Sequence, residues 1–285
     1  MTSGGDERAG RAAATDDPRV AVTARGLPRL TDRVDAADVP PLPRVPARAP
    51  RRTTLAAVGT RSLRVAAWRE RDDIALVATR SGGRAPDPAE ILRLVAAAHD
   101  AGVTRLVTGA LTPGEQAPFA AAGFTVHDRL HLLSHDLRDL APTPEVAFRI
   151  RRAGRADHAA ALAVDARAFE PFWRLDRVGL RDALGATASA RFRVLGSDPI
   201  VGYAVIGRSG DRGYLQRLAV DPGHRRQGLG AALVLDGLRW LRRRWATSVV
   251  VNTQVGNDAA LSLYRRLGFV LEPGGLCVLT RTTDP

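Results

Sequence analysis

The stretch that most limits this chain is Gly213–Leu241, GYLQRLAVDPGHRRQGLGAALVLDGLRWL. An apolar run ending at Val220 reads as a strand, DPGH as a tight turn, and RRQGLG as the opening of a helix over 228–245. Glycines at such a junction let the backbone approach a ligand closely, and the first-turn amides of a helix have no intrahelical partner. Those donors, the positive helix end and the flanking Arg225 and Arg226 together make an anion site suited to a pyrophosphate. On the helix, Val234, Leu238, Leu241 and Trp245 share one face at helical spacing and are expected in the core. Arg239, Arg242 and Arg243 are expected to face water.

Other phosphate loops are excluded by their own chemistry. The stretch lacks the Gly-Lys-Ser/Thr ending of an ATP-binding P-loop, and it lacks GxGxxG with an acid about 20 residues on. All 42 basic residues among the 285 are arginine, so a P-loop lysine or a lysine Schiff base is unavailable anywhere in the chain. The resulting net charge of +12 suits polyanionic ligands and a solvated surface equally. A nucleic-acid partner is set aside because no recognition-helix or aromatic RNA-platform motif accompanies the arginines. One cysteine, Cys277, excludes an internal disulfide framework and a Cys-based zinc cluster. His127, His131 and His135 lie in a segment that alternates like a strand, so no metal site is expected. No apolar run reaches 18 residues, and MTSGGDERAGRAAATDD is not a secretory signal, so the expectation is a cytoplasmic protein with no membrane partner.

Three regions follow from the text. Residues 1–50 form an Ala/Pro/Arg-rich tail without aromatics, too poor in apolar surface to offset chain entropy. Residues 51–140 carry two short strands, the helix PDPAEILRLVAAAHDAG, the strand TRLVTGA, the short helix GEQAPFAAAG and a strand pair in FTVHDRLHLLSHDL. After the linker APTPE, residues 146–285 repeat that plan more fully. Gly123-Phe124 answers Gly268-Phe269 at an offset of 145 residues, which points to duplication.

RRQGLG resembles the (Q/R)xxGx(G/A) pyrophosphate loop of the GCN5-related N-acetyltransferases, the GNAT superfamily. Asn257-Asp258-Ala259-Ala260 followed by Leu263-Tyr264-Arg265-Arg266-Leu267-Gly268-Phe269 resembles that family's NxxAxxLYxxLGF. The resemblance covers about 140 residues and implies an α/β (α+β) fold of two GNAT-like lobes. Each lobe would have a mixed, mostly antiparallel sheet flanked by helices, with the second lobe complete. It implies acetyl transfer from acetyl-CoA to a primary amine, on a small molecule or a peptide N-terminus, by direct attack in a ternary complex. A non-catalytic acyl-CoA-binding regulatory module is the alternative.

The resemblance also assigns roles. Backbone groups of Leu218, Ala219 and Val220 would pair with the pantetheine arm. Arg225, Arg226, Gln227, Gly228, Leu229, Gly230 and Ala231 would hold the pyrophosphate. Asn257 would contact the cofactor or cap its helix. Tyr264 matches the tyrosine that protonates the departing thiolate. Relatives carry glutamates where Tyr214 and Asn252 stand here, so the general base is open. Gln216, on Tyr214's strand face, could order a water, and Glu170 is the one carboxylate singled out as a base. Ala168-Phe169-Glu170-Pro171-Phe172-Trp173 is reminiscent of a stretch in ribosomal-protein alanine N-acetyltransferases, with exposed-looking aromatics that would line an acceptor pocket or, equally, pack in the core. In the first lobe, RSGGRAPDPAEI replaces the loop, and Phe119 or a neighbour stands where the tyrosine would be. That lobe is therefore expected to be degenerate, serving as a scaffold or as one wall of the acceptor cleft, a layout like that of mycothiol synthase.

Overall fold

The computed structural model describes residues 55, 58–80 and 84–284. The expected tail, 1–50, and Ser81–Gly83 of the stretch compared with the phosphate loop lie outside the described residues.

In the first lobe, β1 (Leu63–Trp68) and β2 (Arg71–Thr79) form a hairpin, followed by α1 (Pro88–Asp100), β3 (Arg105–Leu111), α2 (Pro113–Ala121) and β4 (Thr125–His135). Helix α1 starts where the sequence signals it. Pro88 occupies its first turn, the Asp87 side chain accepts from Glu90 N at 2.7 Å, and Ile91, Leu94, Val95 and Ala98 form its buried face. The strand pair expected in 124–137 is instead one long strand, β4, of 11 residues.

The second lobe runs β5 (Ile150–Arg152), α3 (His158–Ala168), α4 (Arg177–Gly185), β6 (Ser189–Leu195), β7 (Gly202–Ser209), β8 (Arg212–Val220), α5 (Leu229–Arg242), β9 (Ser248–Gln254), α6 (Asp258–Arg266), β10 (Val270–Leu271) and β11 (Leu276–Thr282). Helix α5 ends earlier than expected. Trp245 adopts φ 62° beyond it and is 86% exposed, so it is not a core residue. Of the arginines expected in water, Arg242 and Arg243 are exposed, Arg242 donating to Arg138 O at 3.3 Å, whereas Arg239 is half-buried and donates to Ala141 O of the linker at 3.0 Å.

The expected mixed, mostly antiparallel arrangement is present as a single sheet that both lobes share. Its order is β1-β2-β3-β11-β4-β9-β8-β7-β6-β5, with β10 beside β4. Among the described residues, only β2 with β3 and β8 with β9 run parallel. The last strand of the chain, β11, lies between β3 and β4 of the first lobe, and β4 pairs in turn with β9 of the second. Each lobe thus covers an edge the other would leave open.

Helices α1, α2, α5 and α6 cover one face of the sheet. Helices α3 and α4 cover the other, together with the segment after α3. That second face holds one apolar cluster spanning both lobes, with Trp68, Ile74, Val107 and Leu130 packed with Ala161, Val164, Trp173 and Tyr203.

Candidate active site

Strands β8 and β9 are paired only at Arg212–Tyr214 with Ser248–Val250. Beyond Tyr214, residues Leu215–Val220 keep their ladder with β7 and have none with β9, so the two strands part. The departure coincides with a bulge in β8. Val205 pairs with Arg217 and Ile206 with Leu215, leaving Gln216 as the extra residue. Leu218, Ala219 and Val220 lie on the separated stretch, their β9-facing edge unpaired.

The loop after β8 leaves the tip of α5 uncapped by any side chain. Asp221 braces the turn, accepting from Gly223 N at 3.0 Å and from Arg167 Nε at 2.6 Å. Arg226 (φ 64°) and Gly228 (φ 76°) are both left-handed, which for Arg226 is an uncommon conformation and for Gly228 an easy one. Gly228 occupies the N-cap of α5 without a side-chain cap, so the amides of Leu229, Gly230 and Ala231 keep the unpaired state of a helix tip. Arg225, Arg226, Gln227 and Gly228 are exposed, Leu229 is buried, and Gly230 and Ala231 are half-buried. A Cβ on Gly230 would meet Leu263 at 3.3 Å and Val220 at 3.9 Å, so the tip of α5, the end of β8 and α6 converge at this point.

Asn257 caps α6, its side chain accepting from Ala260 N at 3.1 Å. Tyr264, two turns on, is buried against Phe269. Burial raises its pKa above the ordinary phenol value, and the Arg217 guanidinium works against that rise. The phenol therefore stays protonated at neutral pH.

Arg217 and its partners were missed in the sequence. Arg217 Nε and Nη2 donate to Asp165 of α3 at 2.7 and 2.8 Å, and Nη2 also donates to Trp173 O at 2.9 Å. Tyr203 OH donates to the same carboxylate at 2.5 Å, as does Leu175 N at 2.6 Å. Both charged side chains are fully buried. Burial pushes the Arg217 pKa down, but Asp165 and Tyr203 push it up further and it ends raised. Tyr203 is raised well above the ordinary value, first by burial and then by Asp165. The available signal was an Asp inside the apolar helix AALAVDARAF and an Arg inside the apolar strand YLQRLAV.

The aromatics after α3 are not exposed. Phe169 and Trp173 are buried and Phe172 is half-buried. Phe172 stacks on Trp68 of the first lobe at 5.2 Å and lies 4.5 Å from the His127 ring, while Arg69 donates to Phe172 O. They seal a seam between the lobes. Glu170 is exposed and joins the network through its main-chain carbonyl, which accepts from Trp173 N at 2.9 Å and Arg174 N at 3.1 Å. Tyr214 is buried beside Val250, and Asn252 is half-buried opposite Leu132 of β4. The Gln216 amide is 95% buried, with neither its nitrogen nor its oxygen partnered among the described residues. It lies over Gly207, whose Cβ, if present, would stand 2.8 Å from it.

Residues 160–269 match the sequence profile of the "Acetyltransferase (GNAT) family". Those residues form a GNAT-family domain. The chain is 32% identical over 201 residues to the "Mycothiol acetyltransferase" of Thermobispora bispora, covering 62% of this chain and 66% of that protein. It is 41% identical over 58 residues to "N-alpha-acetyltransferase 30" of Schizosaccharomyces pombe, 20% of this chain and 39% of that one. It is 39% identical over 59 residues to the "[Ribosomal protein bS18]-alanine N-acetyltransferase" of Escherichia coli, 21% of this chain and 40% of that one. The chain thus spans less than two thirds of the length of these curated relatives. Among solved structures, a "Tandem GNAT protein from the clavulanic acid biosynthesis pathway" aligns with TM-score 0.57 at 17% identity, over 78% of this chain and 79% of that one. At that identity the likeness concerns the fold, and it extends across both lobes.

Proposed function

We propose that this chain transfers an acetyl group from acetyl-CoA to a primary amine, by direct attack within a ternary complex. The observation that carries the reading is the parting of β8 from β9 after Tyr214, which opens toward the uncapped tip of α5. Main-chain groups of Leu218–Val220 would receive an extended arm as an added strand. The amides from Gly228 to Ala231, with Arg225 and Arg226, would hold a diphosphate.

The neutral amine nitrogen forms a bond to the thioester carbon as the carbon–sulfur bond breaks. The sulfur leaves as a thiolate and takes the proton of Tyr264, whose buried phenol is protonated at neutral pH. A thiolate released in the same dry gap has its own proton affinity raised by the same burial, which offsets the high pKa of the phenol. The proton lost by the nitrogen passes to a water held by the Gln216 amide. Glu170, exposed and outside this gap, is not given the role of base. An acyl-enzyme is not invoked, because the single thiol, Cys277, is buried in β11 within the first lobe's part of the sheet.

The acceptor is either a peptide N-terminus or a small-molecule amine, the two classes named among the relatives. No helix among the described residues is long and apolar enough to cross a membrane, and the lone buried cysteine suits a reducing cytoplasm. Calorimetric titration with acetyl-CoA, followed by thiol release in the presence of amines and alanyl peptides, tests the reading. Stoichiometric binding and amine-dependent release are expected. Binding without release would leave a non-catalytic acyl-CoA module, and no binding would remove the assignment.

A further inference from the structure

Strand β9 alternates between the two faces of the sheet. Val249 and Val251 pack with α5, so Val250, Asn252 and Gln254 look to the opposite face. That face lies away from the α5 tip and beneath the 169–176 segment. The segment is tied to β8 through Trp173 O and Arg217, and to β4 through Phe172 and His127.

Gln254 sits there at the open end of the parting, 99% buried. Its Nε2 donates to Asp128 of β4 at 2.5 Å. A carboxylate only accepts, so this bond fixes the amide with Oε1 turned away from Asp128. Oε1 has no partner among the described residues. A buried carbonyl left in that state is destabilising, and such groups are ordinarily satisfied by a ligand or an ordered water.

We propose that Gln254 is a specificity-determining residue of the acceptor subsite, with Asp128 of the first lobe as its positioning residue. Gln254 Oε1 accepts a hydrogen bond from an O–H or N–H that the acceptor carries beside its reacting amine. The inference rests on the acetyltransferase reading above. It gives the first lobe a named contact in acceptor choice, through Asp128.

The test compares matched amines that differ by a hydroxyl: ethanolamine against ethylamine, and glucosamine against cyclohexylamine. For the wild-type chain, kcat/KM is expected to favour the hydroxyl-bearing member about tenfold, the scale of one good hydrogen bond. In Gln254→Leu and Asp128→Ala the ratio should fall to within twofold of one, with the KM for acetyl-CoA unchanged. Asp128→Asn, whose side-chain oxygen can still accept from Gln254, should keep part of the preference. Three results overturn the proposal: no preference in the wild type, a preference that survives in all three variants, or an acetyl-CoA KM that rises in step with that of the amine. The last would assign the amide to the pantetheine arm. A wild type that binds acetyl-CoA and acetylates no amine removes the proposed function and this inference together. An active wild type with unaltered ratios in the variants removes this inference alone.

Discussion

Each lobe runs a strand into a helix, and the two helix tips are finished in opposite ways. At α1 the tip is closed: Asp87 caps it, Pro88 removes a donor, and Glu90 adds a second acid in the first turn. At α5 the tip is open, with Gly228 as cap and no acid in the first turn. The helix–Gly–Phe junctions repeat the contrast. Phe124 N donates to Phe119 O and Phe269 N to Tyr264 O, both at 3.0 Å, so Phe119 occupies the backbone position of Tyr264 without its hydroxyl. The frame repeats, and among the described residues the uncapped helix tip and the tyrosine hydroxyl belong to the second lobe.

The largest effect is expected where the second lobe has a buried ion pair for which the first has no described counterpart. Removing one member leaves an uncompensated buried charge, about 3–5 kcal/mol of stability. Asp165→Asn or Arg217→Met should lower the melting temperature by roughly 10 °C or more for a chain of this size. The paired change Asp165→Leu with Arg217→Met should recover much of that loss. If thermal melts show singles and double alike near wild type, the pair does not organise the 169–175 segment.

Closing the α5 tip comes next. Gly228→Asp would strain a residue at φ 76° and set a carboxylate where the diphosphate is proposed to sit, making α5 resemble α1. Gly230→Glu adds the same charge and presses on Leu263. Each should weaken acetyl-CoA at least 100-fold by calorimetry, about 2.7 kcal/mol. The reverse change, Asp87→Gly, should confer no binding on α1, since Pro88 still lacks its amide. Wild-type affinity in both α5 variants would show that the ligand lies elsewhere.

Tyr264→Phe sharpens the same comparison by making the α6 junction a copy of the α2 junction. Turnover should fall roughly 10- to 100-fold, toward the lower end of acid–base contributions, with the acetyl-CoA dissociation constant within twofold of wild type. Equal loss of both quantities would mark the tyrosine as packing only.

Much of this contrast was legible in the chain, because it is local. Helix starts, glycine turns and the DPGHRRQGLG loop each reside in fewer than about 20 consecutive residues, where periodicity and capping act. The sheet's assembly was not. Alternation in 276–282 shows that a strand exists, and nothing in those residues says that its neighbours are β3 and β4, about 150 or more positions earlier. The aromatics of 169–173 were left between an acceptor pocket and the core for a related reason. Read as a loop they look exposed, and only the first lobe, brought alongside by β4, covers them. Trp245 failed in the other direction, since the 3.6-residue pattern ran on past the last helical turn at Arg242.

The smallest predicted effect comes from the reciprocal contacts at the two Gly–Phe junctions. Gly123, of the first lobe, lies beneath Arg281 of β11, whose guanidinium donates to Ala122 O. Gly268, of the second, lies beneath His135 of β4, with Nε2 2.9 Å from where a Cβ would stand. Arginine stays charged at any pH of interest, whereas histidine titrates. His135 Nδ1 accepts from Leu137 N at 2.8 Å, so the imidazole is held neutral, and burial lowers its pKa from 6.5 despite the opposing influence of Asp136. A lowered folded-state pKa means that the unfolded chain binds the proton first. The contribution of His135 is therefore complete above pH 6.5 and is lost as pH falls below it, with a slope of at most about 1.4 kcal/mol per pH unit for one proton. Urea denaturation at pH 7.5 and 5.5 should show His135→Gln losing less stability on acidification than wild type, because the carboxylates titrate alike in both. Arg281→Gln should keep the wild-type pH slope. Parallel wild-type and His135→Gln curves would mean that His135 carries no pH sensitivity, and the two junctions would then differ in chemistry without differing in behaviour.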